Sequence, residues 1–117
     1  KKRQIFEWYK EFLGDIEEIN FMPELPNSRG NRWLTALTFT KTDYREVMQA
    51  LEGINVESRP LWKPMHIQPL FKDAKRLVDG TSEELFSNGL CLASSTTMSR
   101  EDVSMISDEI RKVIFKV

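Results

Sequence analysis

The apolar positions of this chain change their spacing as it advances, and the changes mark its elements. Ile5, Trp8, Tyr9 and Phe12 recur at i, i+3, i+4 and i+7, one face of a helix of roughly three to four turns, and Gly14 is a natural stop for it. Ile19, Phe21 and Met22 predict a short strand, broken by Pro23 and Pro26. Asn27-Ser28-Arg29-Gly30 then reads as a turn. Trp33 to Phe39 is β-branched, aromatic and mostly apolar, as a central strand is. Asp43 with Glu46 has capping-box spacing. It precedes a helical stripe of Tyr44, Val47, Met48 and Leu51, which Gly53 ends. Ile54 to Ser58 alternates apolar and polar side chains, predicting a half-buried strand. Thr81 and Glu84 make a second capping box, opening a short helix with Leu85 and Phe86 inside and Gly89 at its end. Leu90-Cys91-Leu92 is a short apolar strand. Ser99 with Asp102 opens the last helix, with Val103, Ile106, Ile110 and Val113 or Ile114 facing the core. The basic residues Arg111, Lys112 and Lys116 suit its C-terminal dipole.

The order α-β-β-α-β-loop-α-β-α lacks a strict βαβ repeat. It predicts an α+β fold: a small, mostly antiparallel sheet with helices packed on one face. Length agrees, since 117 residues suffice for one domain with one modest core. Lys72 to Gly80 is polar and predicts the most mobile surface. The chain begins at Lys1 and enters a helical pattern at once, as a piece of a longer polypeptide, or a processed or trimmed one, would.

Composition narrows the function by exclusion. A formal net charge of −1 argues against a dedicated binder of nucleic acid or anionic membrane, which carries a basic excess. No apolar run approaches the ~20 residues of a membrane span. Cys91 is alone, so no internal disulfide forms and a reducing, cytoplasmic setting fits. One His and one Cys leave little from which to build a zinc site, so no metal is expected.

What remains is a loop between the predicted strand and the third helix, Arg59-Pro60-Leu61-Trp62-Lys63-Pro64-Met65-His66-Ile67-Gln68-Pro69-Leu70-Phe71. It holds the only histidine, one of three tryptophans and three of five prolines. Proline fixes φ and removes a backbone donor, so this run is neither a helix interior nor a central strand. A stiff loop carrying Arg, Trp, Lys, His and Gln reads as part of a binding site. His66 is either a loop histidine bonded to a backbone carbonyl or a polar group aimed at a hydroxyl or carbonyl ligand, held still by Pro64 and Pro69. Arg59 has the planar guanidinium that grips phosphate or carboxylate. Lys63 could form a Schiff base if buried in an apolar pocket. It is set aside because its neighbourhood has no Gly/Ser-rich phosphate cup and no carboxylate placed for a pyridinium nitrogen. Asn31-Arg32-Trp33 reads either as a turn leading into the strand with Trp33 in the core, or as a polar pair projecting toward the side of the proline loop. Ser94-Ser95-Thr96-Thr97 offers hydroxyls, but no base is arranged around them, and no G-x-S-x-G elbow supports a hydrolase.

Asn31-Arg32-Trp33-Leu34-Thr35, the Arg59–Phe71 loop, Gly89-Leu90-Cys91-Leu92 and Ser99-Arg100-Glu101-Asp102-Val103, in this order, resemble the C-terminal part of the DegT/DnrJ/EryC1/StrS family. These are pyridoxal-phosphate-dependent sugar aminotransferases with the aspartate-aminotransferase fold. The resemblance covers nearly the whole chain. It implies that residues 1–117 form the single small C-terminal domain of such an enzyme, the large domain that binds the cofactor and supplies the Schiff-base lysine being absent. It implies transfer of an amino group from an amino acid, usually glutamate, to a nucleotide-linked keto sugar in polysaccharide or glycan pathways, by a homodimeric enzyme. Arg59, Trp62 and His66 would contact the sugar nucleotide as their loop closes over the cofactor, with Asn31 and Arg32 near the same cleft. No catalytic and no cofactor-binding residue is expected in the chain itself, and alone it should neither bind pyridoxal phosphate nor transaminate. The family usually has proline and then serine-glycine after the strand that ends at Leu92. Ala93-Ser94-Ser95 departs from this, which predicts a more flexible loop there and carries no substrate contact over to it. Two other readings stand beside this one: a stand-alone module of the same fold binding a sugar nucleotide or a protein, and an α+β nucleic-acid binder using exposed aromatics, which the charge balance disfavours.

Overall fold

The computed structural model describes all 117 residues, Lys1–Val117. Its elements in chain order are α1 (Lys2–Leu13), β1 (Ile19–Phe21), β2 (Thr35–Phe39), α2 (Tyr44–Gly53), β3 (Arg59–Pro60), α3 (Thr81–Asn88), β4 (Gly89–Leu92) and α4 (Arg100–Phe115). The strands form one sheet in the order β1-β2-β4-β3, every neighbouring pair antiparallel. This is the α+β layer that the element order predicts.

Register assigns the two faces. Thr35 pairs with Leu92, Leu37 with Leu90, and Phe39 with Ile19. Directly opposed residues share a face, so these form one buried surface, and Ile5, Tyr9 and Leu13 of α1, Val47 and Leu51 of α2, and Val103, Ile106 and Ile110 of α4 join it in a single core. The alternate residues Asn20, Ala36, Thr38, Cys91 and Arg59 pair among themselves on the other face. That face carries no long helix; only α3 lies along it.

The helices start and stop for local reasons. Ser99 and Asp102 form the expected capping box, Ser99 Oγ accepting from the Asp102 N–H at 3.1 Å and the Asp102 carboxylate from the Ser99 N–H at 2.7 Å. Asp43 caps α2 by accepting from the Arg45 N–H at 2.9 Å, not through a reciprocal pair with Glu46. The end of α1 is held from α4, where the Arg111 guanidinium donates twice to the Phe12 carbonyl, at 2.7 and 3.0 Å. One of the helix's last free carbonyls is thereby satisfied.

Four local expectations are corrected. Ile54–Ser58 is not a strand: Asn55 takes φ 59° and the Val56 N–H bonds back to Leu51 O at 2.9 Å, so the chain is still closing α2. The strand pairing comes later, at Arg59–Pro60 on the sheet edge, where Pro60's missing N–H is tolerated. The cap of α3 is Gly80, at a φ of 90° that favours glycine, with Asp79 accepting from the Thr81 N–H at 3.0 Å; the Thr81/Glu84 box does not form. Leu85 and Phe86 lie outside the core, and Trp33 is 62% exposed just ahead of β2.

Candidate functional site

The open face of the sheet is walled by the proline loop, by α3 and by the segment before β2. The loop is stiff because it is bonded to itself. Two successive 3-10 turns, Met65–Ile67 and Pro69–Phe71, close through Ile67 N–H to Pro64 O, Gln68 N–H to Met65 O and Phe71 N–H to Gln68 O, at 3.2, 3.1 and 2.9 Å. The Gln68 side chain donates to Lys63 O at 3.1 Å. Leu61 anchors the loop's start over Gly89. A Cβ at that glycine would come within 2.1 Å of Leu61 Cδ1 and 2.6 Å of the Leu85 carbonyl, so the approach requires glycine.

Trp62 stands on this face as a ridge, 64% exposed, its ring 6.2 Å from that of Trp33 at 41°. On one side of it lies an apolar groove of about 410 Å³, floored by Ala36 and Thr38 and walled by Leu61, Leu85 and Phe86. On the other lies a more polar groove of about 550 Å³, bounded by Trp33, Arg59, Ser94 and Ser95. Arg59 is exposed, and its guanidinium is paired only with Glu57, two residues away, at 2.6 and 2.8 Å. So exposed a pair is weak and exchanges readily for a ligand anion.

The other candidates sit differently. His66 does not line either groove. Its Nε2 pairs with the Glu83 carboxylate at the start of α3, and its carbonyl accepts from Arg76 at 3.3 Å. Its side chain is only 10% exposed. The Asn31 carboxamide oxygen accepts from the Trp33 N–H at 3.0 Å and so shapes the turn that presents Trp33. Arg32 is 8% exposed, its guanidinium 3.9 Å over the Phe6 ring and donating to Met22 O at 2.8 Å. Beside it Arg3 pairs with Glu24 at 2.7 Å, and Glu24 also accepts from the Gly30 N–H. These bonds, the Arg3 hydrogen bond foremost, hold the Glu24 carboxyl down at about 2. Arg32 therefore belongs to a clasp that fixes residues 22–32 against α1, and with Asn31, Trp33 and Trp62 it lines a third cavity of about 360 Å³, separate from the polar groove that Arg59 bounds.

The segment after β4 is tied down where its sequence predicts looseness. The Tyr9 hydroxyl donates to Ala93 O at 2.8 Å, Lys2 Nζ to Ser94 O at 2.5 Å, and Ser94 Oγ to Trp33 O at 3.1 Å. Burial, then the nearby Asp102 charge, pushes the Tyr9 phenol above its usual pKa of 10.0. Sequence reasoning missed two residues: Ser94, which links the polar groove to Trp33, and Glu83, the partner of His66. Glu83 stands 17 positions from that histidine, and no local pattern announces the pair.

The chain belongs to the DegT/DnrJ/EryC1/StrS aminotransferase family, whose model matches residues 1–111. EpsN of Bacillus subtilis (strain 168), assigned as a pyridoxal phosphate-dependent aminotransferase, is 41% identical over 108 residues, covering 87% of this chain and 28% of its own. Among solved structures, the aminotransferase TlmJ from Streptoalloteichus hindustanus superposes with a TM-score of 0.84 at 18% identity, over 98% of this chain and 31% of that one. DesI, solved in the presence of its TDP-sugar product, superposes with a TM-score of 0.80 at 18% identity, over 94% and 29%. The fold is thus that of part of an aminotransferase, and the chain spans under a third of the length of these relatives.

The side chains present do not by themselves make a pyridoxal phosphate site. Lys63 is exposed and lines neither groove, and Lys2, the one lysine in the polar groove, has its ammonium committed to Ser94 O. An imine-forming lysine must be free to lose its proton. No helix is both long and apolar enough to cross a membrane.

Proposed function

We propose that this chain is the small C-terminal domain of an enzyme that moves an amino group from an amino acid, glutamate, to a nucleotide-linked keto sugar in polysaccharide or glycan biosynthesis. Within a cytoplasmic homodimer it supplies the substrate-covering surface. A large domain outside residues 1–117 holds pyridoxal phosphate, which supplies the electron sink when bound. The observation that carries the reading is Trp62. A tryptophan this exposed, backed by Trp33 and stiffened by its loop, is a stacking platform for a flat ligand face. Arg59 across the polar groove suits the ligand's diphosphate, while Asn31 and Arg32 act by shaping the turn behind Trp33. The family membership and the TDP-sugar named for DesI support the same class of substrate.

The test uses the full-length polypeptide containing this chain, assayed for amino transfer from glutamate to a nucleotide keto sugar. Trp62→Ala should weaken sugar-nucleotide binding by about 1–3 kcal/mol, the range for loss of one aromatic stacking partner. The melting temperature should barely move, because Trp62 is an exposed side chain. The 117-residue chain alone should show no transfer and no new absorbance with pyridoxal phosphate. A full-length enzyme with no amino transfer, or a Trp62→Ala variant with unaltered affinity, removes the proposal.

A further inference from the structure

We propose that Arg3 is a positioning residue: it ties α1 to the turn that carries Trp33, so that the pose of α1 sets how Trp33 backs Trp62. This role rests on the stacking platform proposed above. It adds a residue that lines neither groove nor the third cavity and acts through the turn alone.

Ties run from α1 to the chain on both sides of Trp33. Ahead of it, the Arg3 guanidinium donates to both carboxylate oxygens of Glu24, at 2.7 and 3.1 Å, and to Gly30 O at 2.5 Å. Glu24 also accepts from the Gly30 N–H, so residues 24 and 30 close on Arg3 together. Further along α1, the Phe6 ring lies 3.9 Å from the Arg32 guanidinium. On the other side, Lys2 Nζ donates to Ser94 O at 2.5 Å, and Ser94 Oγ to Trp33 O at 3.1 Å. A two-point guanidinium–carboxylate pair fixes orientation as well as distance.

Trp33 depends on such ties. It is 62% exposed, and the pairing of β2 with β4 begins only at Thr35, so neither burial nor the ladder holds its ring. Trp62 is held separately, by its self-bonded loop and by Leu61 over Gly89. The two rings, 6.2 Å apart, therefore meet from independent supports, with the third cavity lined by both. A shift of the first turn of α1 moves Trp33 against Trp62. In a C-terminal domain α1 is the element next in sequence to the large domain. A change in the angle between the domains then reaches the aromatic pair through Arg3.

The test uses the full-length polypeptide labelled with 5-fluorotryptophan, its Trp33 and Trp62 signals assigned from Trp33→Phe and Trp62→Phe. Arg3→Gln should move both signals. It should also raise the KM for the sugar nucleotide about two- to ten-fold, the span for loss of one aromatic pair, with kcat little altered. Arg3 is 34% exposed and outside the core, so the melting temperature should change little. Arg3→Lys, which keeps a donor for Glu24, should recover part of both effects. Because Arg3 acts through Trp33, Arg3→Gln should add nothing to the KM of Trp33→Ala. Unmoved fluorine signals in Arg3→Gln overturn the linkage, as does a KM effect that persists in full in the Trp33→Ala background. Trp62→Ala with unaltered affinity removes the stacking reading instead, and the fluorine signals of Arg3→Gln still decide the linkage.

Discussion

Replacing Tyr9 by Phe probes the tie between the core and the polar groove. Tyr9 is fully buried, and its hydroxyl donates to Ala93 O at 2.8 Å across 84 residues of sequence. The change removes no carbon and opens no cavity large enough to matter, so its cost is one hydrogen bond and a carbonyl left without that donor, about 1–3 kcal/mol. With a urea slope of about 1–3 kcal/mol/M for a small domain, the midpoint should fall by roughly 1 M with the slope unchanged. The phenol also leaves a signature in pH. Its pKa is raised in the folded state above 10.0 by burial, with the Asp102 charge adding to the rise. A group whose folded pKa is raised contributes stability that is fully present below the unfolded value and is lost as pH rises through the folded one. The stability of the unaltered chain should therefore decline from about pH 10 upward, while the Phe variant lacks this component. The gap between the two should narrow in alkali, the remaining Tyr44 and the lysines cancelling in the difference. A gap below about 0.5 kcal/mol at neutral pH, or one that widens above pH 10, would refute the assignment of that hydrogen bond.

Two further outcomes follow from the site's supports. The Glu24 carboxyl, held down at about 2 from 4.5 by Arg3 and the Gly30 N–H, contributes stability present above the unfolded value and lost as pH falls toward 2. Amide exchange in residues 22–32 should accelerate over that window in the unaltered chain and show no such pH step in Glu24→Gln; an equal response in both would sink the clasp. Gly89→Ala should cost about 1–3 kcal/mol by overpacking, because a Cβ there meets Leu61 and the Leu85 carbonyl. Its near-ultraviolet tryptophan signal should change as the loop carrying Trp62 shifts, and a neutral effect on both would mean the loop is free to move away.

The legible parts of the chain were those in which local and tertiary forces agree. The stripes of α1, α2 and α4 and the Ser99–Asp102 cap read through because the same residues satisfy helix geometry and the core. The errors fell where one pattern has two causes. Ile54–Ser58 alternates like a strand, yet Asn55 sits in the left-handed region and Val56 bonds back to α2. Leu85 and Phe86 are spaced for a core but wall a groove, since α3 lies on the face that the longer helices leave open. At the site, the stiffness and exposure of the Arg59–Phe71 loop follow from its prolines. The burial of Arg32 does not, because it depends on Phe6, Met22 and Glu24 arriving from elsewhere. Glu83 was hidden for the same reason.

The edges of the sheet carry a consequence for how the domain associates. One border, β3, is two residues long and includes Pro60; the other, β1, is three residues long and runs into Met22-Pro23. Neither can template an added strand, for each lacks the length or the donors that edge pairing needs. The sheet is self-terminating. Another domain or a second copy that packs on this sheet therefore approaches through side chains and loops rather than by extending the strands.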